Sequence, residues 1–296
     1  MWQRAVLFDL DNTLVMEDAA TLAAVRSACA VASSRAGANA DALYATVPRV
    51  AEKLWKGSTA LAYADRMGIW WGEGLWGEFR GEASELRALR DFVPDFRLAV
   101  WREALAAVEI SDEALAAELA ETYRMARRAR QLVDAEAEPI LGALARDHRL
   151  ALVSNGAPDV QREKLAGTTL ARYFGAIVIS CEVGVGKPDP RIFEIALERI
   201  GADADETVMV GDSLARDVAG AHAAGIRAVW IDRRLGPGEE GPAPDARVES
   251  LSELPAALAA LAPPAASAPG SPAPRPRSAR GASRPRASRT KGRSAR

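Results

Sequence analysis

Ala5-Val6-Leu7-Phe8-Asp9-Leu10-Asp11-Asn12-Thr13-Leu14 is the stretch whose reading decides the fold. Four apolar residues run into two acids spaced two apart, with Asn and Thr behind them. A short apolar run without alternation reads as a strand buried on both faces, the kind found in parallel sheets covered by helices. Side chains two apart on a strand point the same way, so at its end Asp9 and Asp11 can reach one metal ion or one phosphate. A strand ending in a turn capped by Asp and Asn would need no function at all, so the rest of the chain has to decide between the two.

Similar apolar runs recur at 150–153, 177–179, 208–210 and 228–231. Helical patterns separate the later ones: 158–165 opening on Pro158, 190–200 opening on Pro190 and closing at Gly201, and 213–224 closing at Gly225. Strands alternating with helices predict an α/β fold with a central parallel sheet and right-handed crossovers. Residues 18–135 break that rhythm, being rich in Ala, Leu, Arg and Glu at helical spacing with no convincing strand. They predict an inserted all-helical unit that leaves the sheet after its first strand and returns before the second. Residues 1–17 and 136–261 then form the core, and the insertion lies over the carboxyl ends of the strands, where open α/β sheets bind ligands.

Charge is unevenly placed along the 296 residues. No Asp or Glu follows Glu253, whereas nine of the 38 Lys and Arg fall between Arg275 and Arg296, leaving 29 basic against 40 acidic residues upstream, a net of −11. Residues 262–296 are almost wholly Pro, Ala, Ser, Gly and Arg, a composition expected to be disordered. Such a tail could hold nucleic acid or another polyanion weakly, but it lacks aromatics for stacking, and a solvated extension is expected instead. Cys29 and Cys181 stand far apart without neighbouring ligands, which suggests a reducing compartment. The N-terminal apolar run is too short for a signal peptide or membrane span, and a cytoplasmic protein is expected.

Three further polar clusters sit at the ends of later strands. Ser154-Asn155-Gly156 offers a hydroxyl, an amide and a flexible backbone. Lys187, in Gly186-Lys187-Pro188-Asp189, brings a point charge suited to phosphate oxygens. Asp212, in Gly211-Asp212-Ser213, and Asp217 five residues on could complete an oxygen-rich magnesium site. Singly these read as a turn, a solvated charge and a helix cap. Four polar clusters converging on one edge of one sheet exceed what capping requires.

With these motifs in this order, the chain resembles the haloacid dehalogenase superfamily of phosphohydrolases over roughly residues 4–235, in the branch with a helical cap between the first and second motifs. The resemblance implies a Rossmann-like three-layer core and a phosphatase that acts on a small phosphorylated metabolite with Mg²⁺. By that resemblance Asp9 is the nucleophile and a metal ligand, and Asp11 is the general acid/base, its backbone carbonyl also binding the metal. Thr13 orients the acid/base loop, Ser154 and Asn155 hold the phosphate, and Lys187 steadies nucleophile and phosphate. Asp212 is then a direct metal ligand and Asp217 a supporting one. The superfamily also contains dehalogenases and phosphomutases. In dehalogenases the second acid is replaced, because a halide leaves without a proton, whereas Asp11 is present here. A non-catalytic scaffold is disfavoured, since it has no need to gather several carboxylates against their repulsion.

Outside the motifs, Trp70-Trp71-Gly72-Glu73-Gly74-Leu75-Trp76 is the most aromatic stretch. Its tryptophans either line a substrate pocket or bury area between helices. His148 and His222 have no evident catalytic partner in sequence.

Overall fold

The computed structural model describes residues 5–233 and 240–261. The basic extension at 262–296 lies outside the described residues. Six strands form one sheet, β1 (Ala5–Phe8), β2 (Arg149–Ser154), β3 (Ala176–Ile179), β4 (Thr207–Gly211), β5 (Arg227–Ile231) and β6 (Ala246–Val248), in the order β3-β2-β1-β4-β5-β6 with every pairing parallel. β1 is central: Phe8 stands opposite Leu152 on one side and Val210 on the other. The order reverses at β1, which makes its carboxyl end the expected ligand crevice.

The helices are α1 (Glu17–Ala36), α2 (Ala40–Trp55), α3 (Leu61–Met67), α4 (Trp71–Gly74), α5 (Ser84–Ala106), α6 (Glu113–Arg128), α7 (Ala137–Leu144), α8 (Pro158–Ala166), α9 (Ser180–Val183), α10 (Pro190–Ile200), α11 (Ala219–Ala223) and α12 (Leu254–Leu261). The sheet is the middle of three layers. Val6 and Phe8 face one apolar cluster with Leu141 of α7 and Leu254 and Leu258 of α12. Leu7 faces the opposite cluster with Ile192 and Phe193 of α10 and Ala221 of α11. Helix ends follow local chemistry: Asn39 and Asp112 accept hydrogen bonds from Ala42 N and Leu115 N at the starts of α2 and α6. Asp189 caps α10 with Pro190 behind it, and Gly201 closes that helix in the left-handed region.

Between β1 and β2 come α1 to α7 and, among the described residues, no named strand. Most of the side chains of α1–α6 that turn inward share one further apolar cluster, which includes Trp55, Trp76 and Trp101 and is joined by Val160 of α8. The two passages between sheet and helices run side by side: Met16 N donates to Leu132 O at 2.7 Å and Asp134 N to Leu14 O at 2.9 Å. Arg233 ties them together, bonding the carbonyls of Asn12 and Thr13 and pairing with Asp134 at 2.7 Å.

Two local features differ from the sequence expectation. β6 has three residues on the sheet edge, too few to show a pattern. The expected helix over 213–224 is instead a π-helical turn, Leu214–Val218, followed by α11. Among the described residues no helix is long and apolar enough to cross a membrane.

Candidate active site

Asp9 follows β1 directly, and its N–H extends the ladder to Val210 O at 2.9 Å, so its side chain is placed by the sheet rather than by a loop. The residue is 5% exposed. Lys187 Nζ donates to Asp9 Oδ1 at 2.5 Å and to Asp217 Oδ1 at 2.7 Å. Burial alone would lower the Lys187 pKa, but Asp217 and Asp9 hold it above its ordinary value, so it is a permanent cation. Burial raises the Asp9 pKa, Lys187 opposing and the charge of Asp217 adding.

Oxygen atoms from Asp9, Asp212 and Asp217 lie within 4.8 Å of one another. Only hard oxygen donors meet there, and Lys187 is shared between two of them, Asp9 and Asp217. A small divalent cation such as Mg²⁺ suits that donor set. The π-helical turn is what brings Asp217 back: its Oδ2 accepts from Ser213 N at 3.0 Å, and a Cβ at Gly211 would overlap its carboxylate. Glycine is therefore required at the end of β4.

Asp9, Asp11, Asn155, Lys187, Asp212 and Asp217 line one cleft with a volume of about 240 Å³, shared with Trp70, Gly68 and Arg216. Thr13 and Ser154 are not among its lining residues. Thr13 is fully buried, its hydroxyl without a partner among the described residues. Ser154 Oγ donates to Gln161 Oε1 at 3.3 Å. Asn155 grips the backbone of Lys187 with both ends of its amide, Nδ2 to Lys187 O at 2.9 Å and Lys187 N to Oδ1 at 2.8 Å. It thereby fixes the lysine that reaches Asp9. Of the tryptophans, Trp70 lines the cleft, whereas Trp76 is fully buried with Arg127 over its ring at 4.9 Å. His222 pairs with Asp245 at 2.9 Å and His148 bonds Leu144 O, both apart from the cleft lining.

The sequence reading missed a second charged network behind Asp11. Lys164 of α8 is fully buried, and its Nζ lies 2.8 and 2.9 Å from the two carboxylate oxygens of Asp11. The same ammonium pairs with Glu17 and Glu73 at 3.2 Å each. Gln161 Nε2 reaches Asp11 at 3.1 Å and Glu73 at 2.9 Å, and Arg127 pairs with Glu17. A signal was available: Gln161 and Lys164 sit three apart on the same buried face of α8 as Val160 and Leu165, where a helix normally places apolar residues.

Two cations serve three carboxyls in this network, so one proton restores balance. Burial drives the Glu73 pKa up to about 8, Lys164 opposing and Asp11 and Glu17 adding. In the unfolded chain this group ionises near its ordinary value of 4.5, so its contribution to stability is complete below that pH and is lost as pH rises towards 8. Glu73→Gln stays neutral throughout. Its stability relative to the wild type is expected to improve by about 1–3 kcal/mol between about pH 5 and about pH 8, read as urea midpoints. A difference that stays constant over that window would mean that Glu73 is ionised in the fold.

Comparison with known proteins follows the same lines. The family model for haloacid dehalogenase-like hydrolases matches residues 3–225. A phosphoserine phosphatase of Thermus thermophilus is 40% identical over 252 residues, covering 85% of this chain and 97% of that protein. An N-acylneuraminate-9-phosphatase of Rattus norvegicus is 28% identical over 262 residues, 87% and 94% of the two chains. Among solved structures, the HAD-hydrolase YfnB of Bacillus subtilis, bound to magnesium, superposes with a TM-score of 0.60 at 22% identity, covering 86% of this chain and 98% of its own. A 2-haloacid dehalogenase of Pseudomonas syringae gives 0.51 at 26% identity, covering 88% and 100%.

Proposed function

Since the chain belongs to the haloacid dehalogenase superfamily and is a phosphatase acting on phosphate monoesters, we propose that it is Mg²⁺-dependent and transfers the phosphoryl group of a small metabolite first to Asp9 and then to water. The observation that carries this reading is the meeting of Asp9, Lys187 and the three-carboxylate cluster in one cleft that Asp11 also lines. Phosphoryl transfer asks mainly for positioning and for compensation of charge on the transferring oxygens. Asp9, Asp212 and Asp217, with the backbone carbonyl of Asp11, would hold Mg²⁺, which supplies that compensation when bound. Lys187 adds a second fixed charge beside the nucleophile.

Asp9 Oδ attacks phosphorus as the bond to the leaving oxygen breaks, giving an aspartyl-phosphate. Asp11 gives its proton to the leaving alkoxide and takes one from the water that cleaves the intermediate. Thr13 orients the loop that carries Asp11. Ser154 is assigned to the phosphate, a role that requires its hydroxyl to leave Gln161. Asn155 is assigned to the phosphate by way of the Lys187 backbone that it clamps. Residues 18–135 act as a cap over a core of residues 1–17 and 136–261, the paired passages at 14–16 and 132–134 being the joint on which it moves.

Phosphoserine is the first candidate substrate, given the 40% identity to a phosphoserine phosphatase over nearly its full length. A panel of O-phosphoserine, an N-acylneuraminate 9-phosphate, nucleoside monophosphates and an aryl phosphate, with and without Mg²⁺, tests the reading. Phosphate release is expected to vanish with EDTA and return with Mg²⁺. Release that persists in EDTA would remove the metal from the account. Dehalogenation, suggested by the Pseudomonas syringae enzyme, is the second reading, and halide release from 2-chloropropionate on the same protein would favour it.

A further inference from the structure

Arg216 is a cation that the proposed mechanism does not use. It projects from the π-helical turn between Ser213 and Asp217, its N–H fixed by Ser213 Oγ at 3.2 Å, and it lines the same cleft as Asp9. Other half-buried or buried arginines around the helical unit are all engaged: Arg97 with the carbonyls of Gly74 and Gly77, Arg124 and Arg128 with Glu78, and Arg127 with Glu17. The guanidinium of Arg216 has no hydrogen bond or ion pair among the described residues. A partly desolvated guanidinium with five unused donors is costly unless something else satisfies it.

Six acids line the cleft, none paired with Arg216 among the described residues, and four of them are engaged by other cations. Asp9 and Asp217 are held by Lys187, Asp11 by Lys164, and Glu17 by Arg127 and Lys164. The wall opposite is equally specific. A Cβ at Gly68, the left-handed residue closing α3, would overlap Arg216 Nη1 and come within 2.5 Å of Asn155 Cβ, so only glycine lets the chain pass this close to the guanidinium. Trp70 stands two residues further along the cleft wall. A fixed fork of donors, edged by glycine backbone and beside an aromatic ring, matches a planar two-oxygen anion.

Resting on the phosphatase reading above, we propose that Arg216 takes a carboxylate of the substrate, so that the enzyme selects small phosphomonoesters carrying a carboxylate in addition to the phosphate. The phosphate is met by Lys187 and the metal site, and the carboxylate by Arg216. The group to be recognised is thus named by its complement: no hydrogen bond or ion pair among the described residues takes up the donors of Arg216, and an anion with two oxygens in one plane would satisfy them.

Matched pairs that differ only in that group test the proposal: O-phosphoserine against phosphoethanolamine, and phosphoglycolate against ethyl phosphate. The wild type should prefer the carboxylate member of at least one pair by about a hundredfold or more in kcat/KM, as expected when a site is built around a polar group. Arg216→Ala should reduce that preference to less than about fivefold, its losses falling mainly on the carboxylate members, and Arg216→Lys should restore part of it. Absence of preference in the wild type, or an equal loss on both members of each pair in Arg216→Ala, overturns the proposal. Release of phosphate from p-nitrophenyl phosphate by the wild type monitors the underlying reading separately. If the wild type hydrolyses no phosphomonoester at all, both fall together.

Discussion

Asp9→Asn is expected to abolish phosphate release from every substrate, lowering kcat by about 10⁴-fold or more, equivalent to about 5 kcal/mol of transition-state stabilisation. An amide does not attack phosphorus, and it is a poorer ligand than a carboxylate for a hard cation. The substitution should not unfold the protein. Lys187 keeps Asp217 at 2.7 Å, and removing one of three mutually repelling carboxylates relieves strain in the metal-free protein. A thermal midpoint equal to or above that of the wild type is therefore expected alongside the loss of activity. Turnover above about a tenth of the wild-type value in Asp9→Asn would exclude Asp9 as the nucleophile.

Asp11→Asn should do damage that depends on the leaving group. The backbone carbonyl remains, but the proton donor and base are lost, at a typical cost of about 10²–10⁴-fold. An alkyl phosphate, whose alkoxide needs a proton, is expected to suffer most. An activated aryl phosphate should pass the first step nearly unhindered and stall at the second, giving a burst of phenol followed by slow turnover. Lys164 shapes this outcome, because its ammonium lies against both carboxylate oxygens of Asp11 and still faces Glu17 and Glu73 when Asp11 is neutralised. Equal losses for alkyl and aryl substrates, without a burst, would place the proton chemistry on another residue.

The sheet was legible because each buried strand is a short apolar run that ends abruptly, as Phe8 gives way to Asp9 and Val210 to Gly211 and Asp212. The edge strand β6 has no such signature, since a three-residue edge needs no apolar core of its own. Proximity of Asp9, Lys187, Asp212 and Asp217 followed from the sheet alone, because parallel strands deliver all their carboxyl ends to one side. Side-chain direction did not follow. The clamp of Asn155 on the Lys187 backbone and the turn of Ser154 towards Gln161 depend on rotamers that strand ends do not dictate. The Lys164 network was hidden for a different reason: Lys164 and Glu73 are 91 positions apart in sequence, and only the docking of α4 against α8 brings them together. The π-helical turn that aims Arg216 and Asp217 is likewise invisible, since one extra residue within a helical pattern leaves the periodicity almost unchanged.

The central claim is that phosphate passes through a covalent bond to Asp9. Single-turnover rapid quench with a ³²P-labelled activated aryl phosphate and Mg²⁺, followed by acid-stable peptide mapping, measures it most directly. Labelled protein should rise and decay within one turnover of the wild type and persist longer in Asp11→Asn, with the label on the carboxylate of Asp9 in both. Phosphate formed without any labelled protein, or label recovered on another residue, would contradict the account.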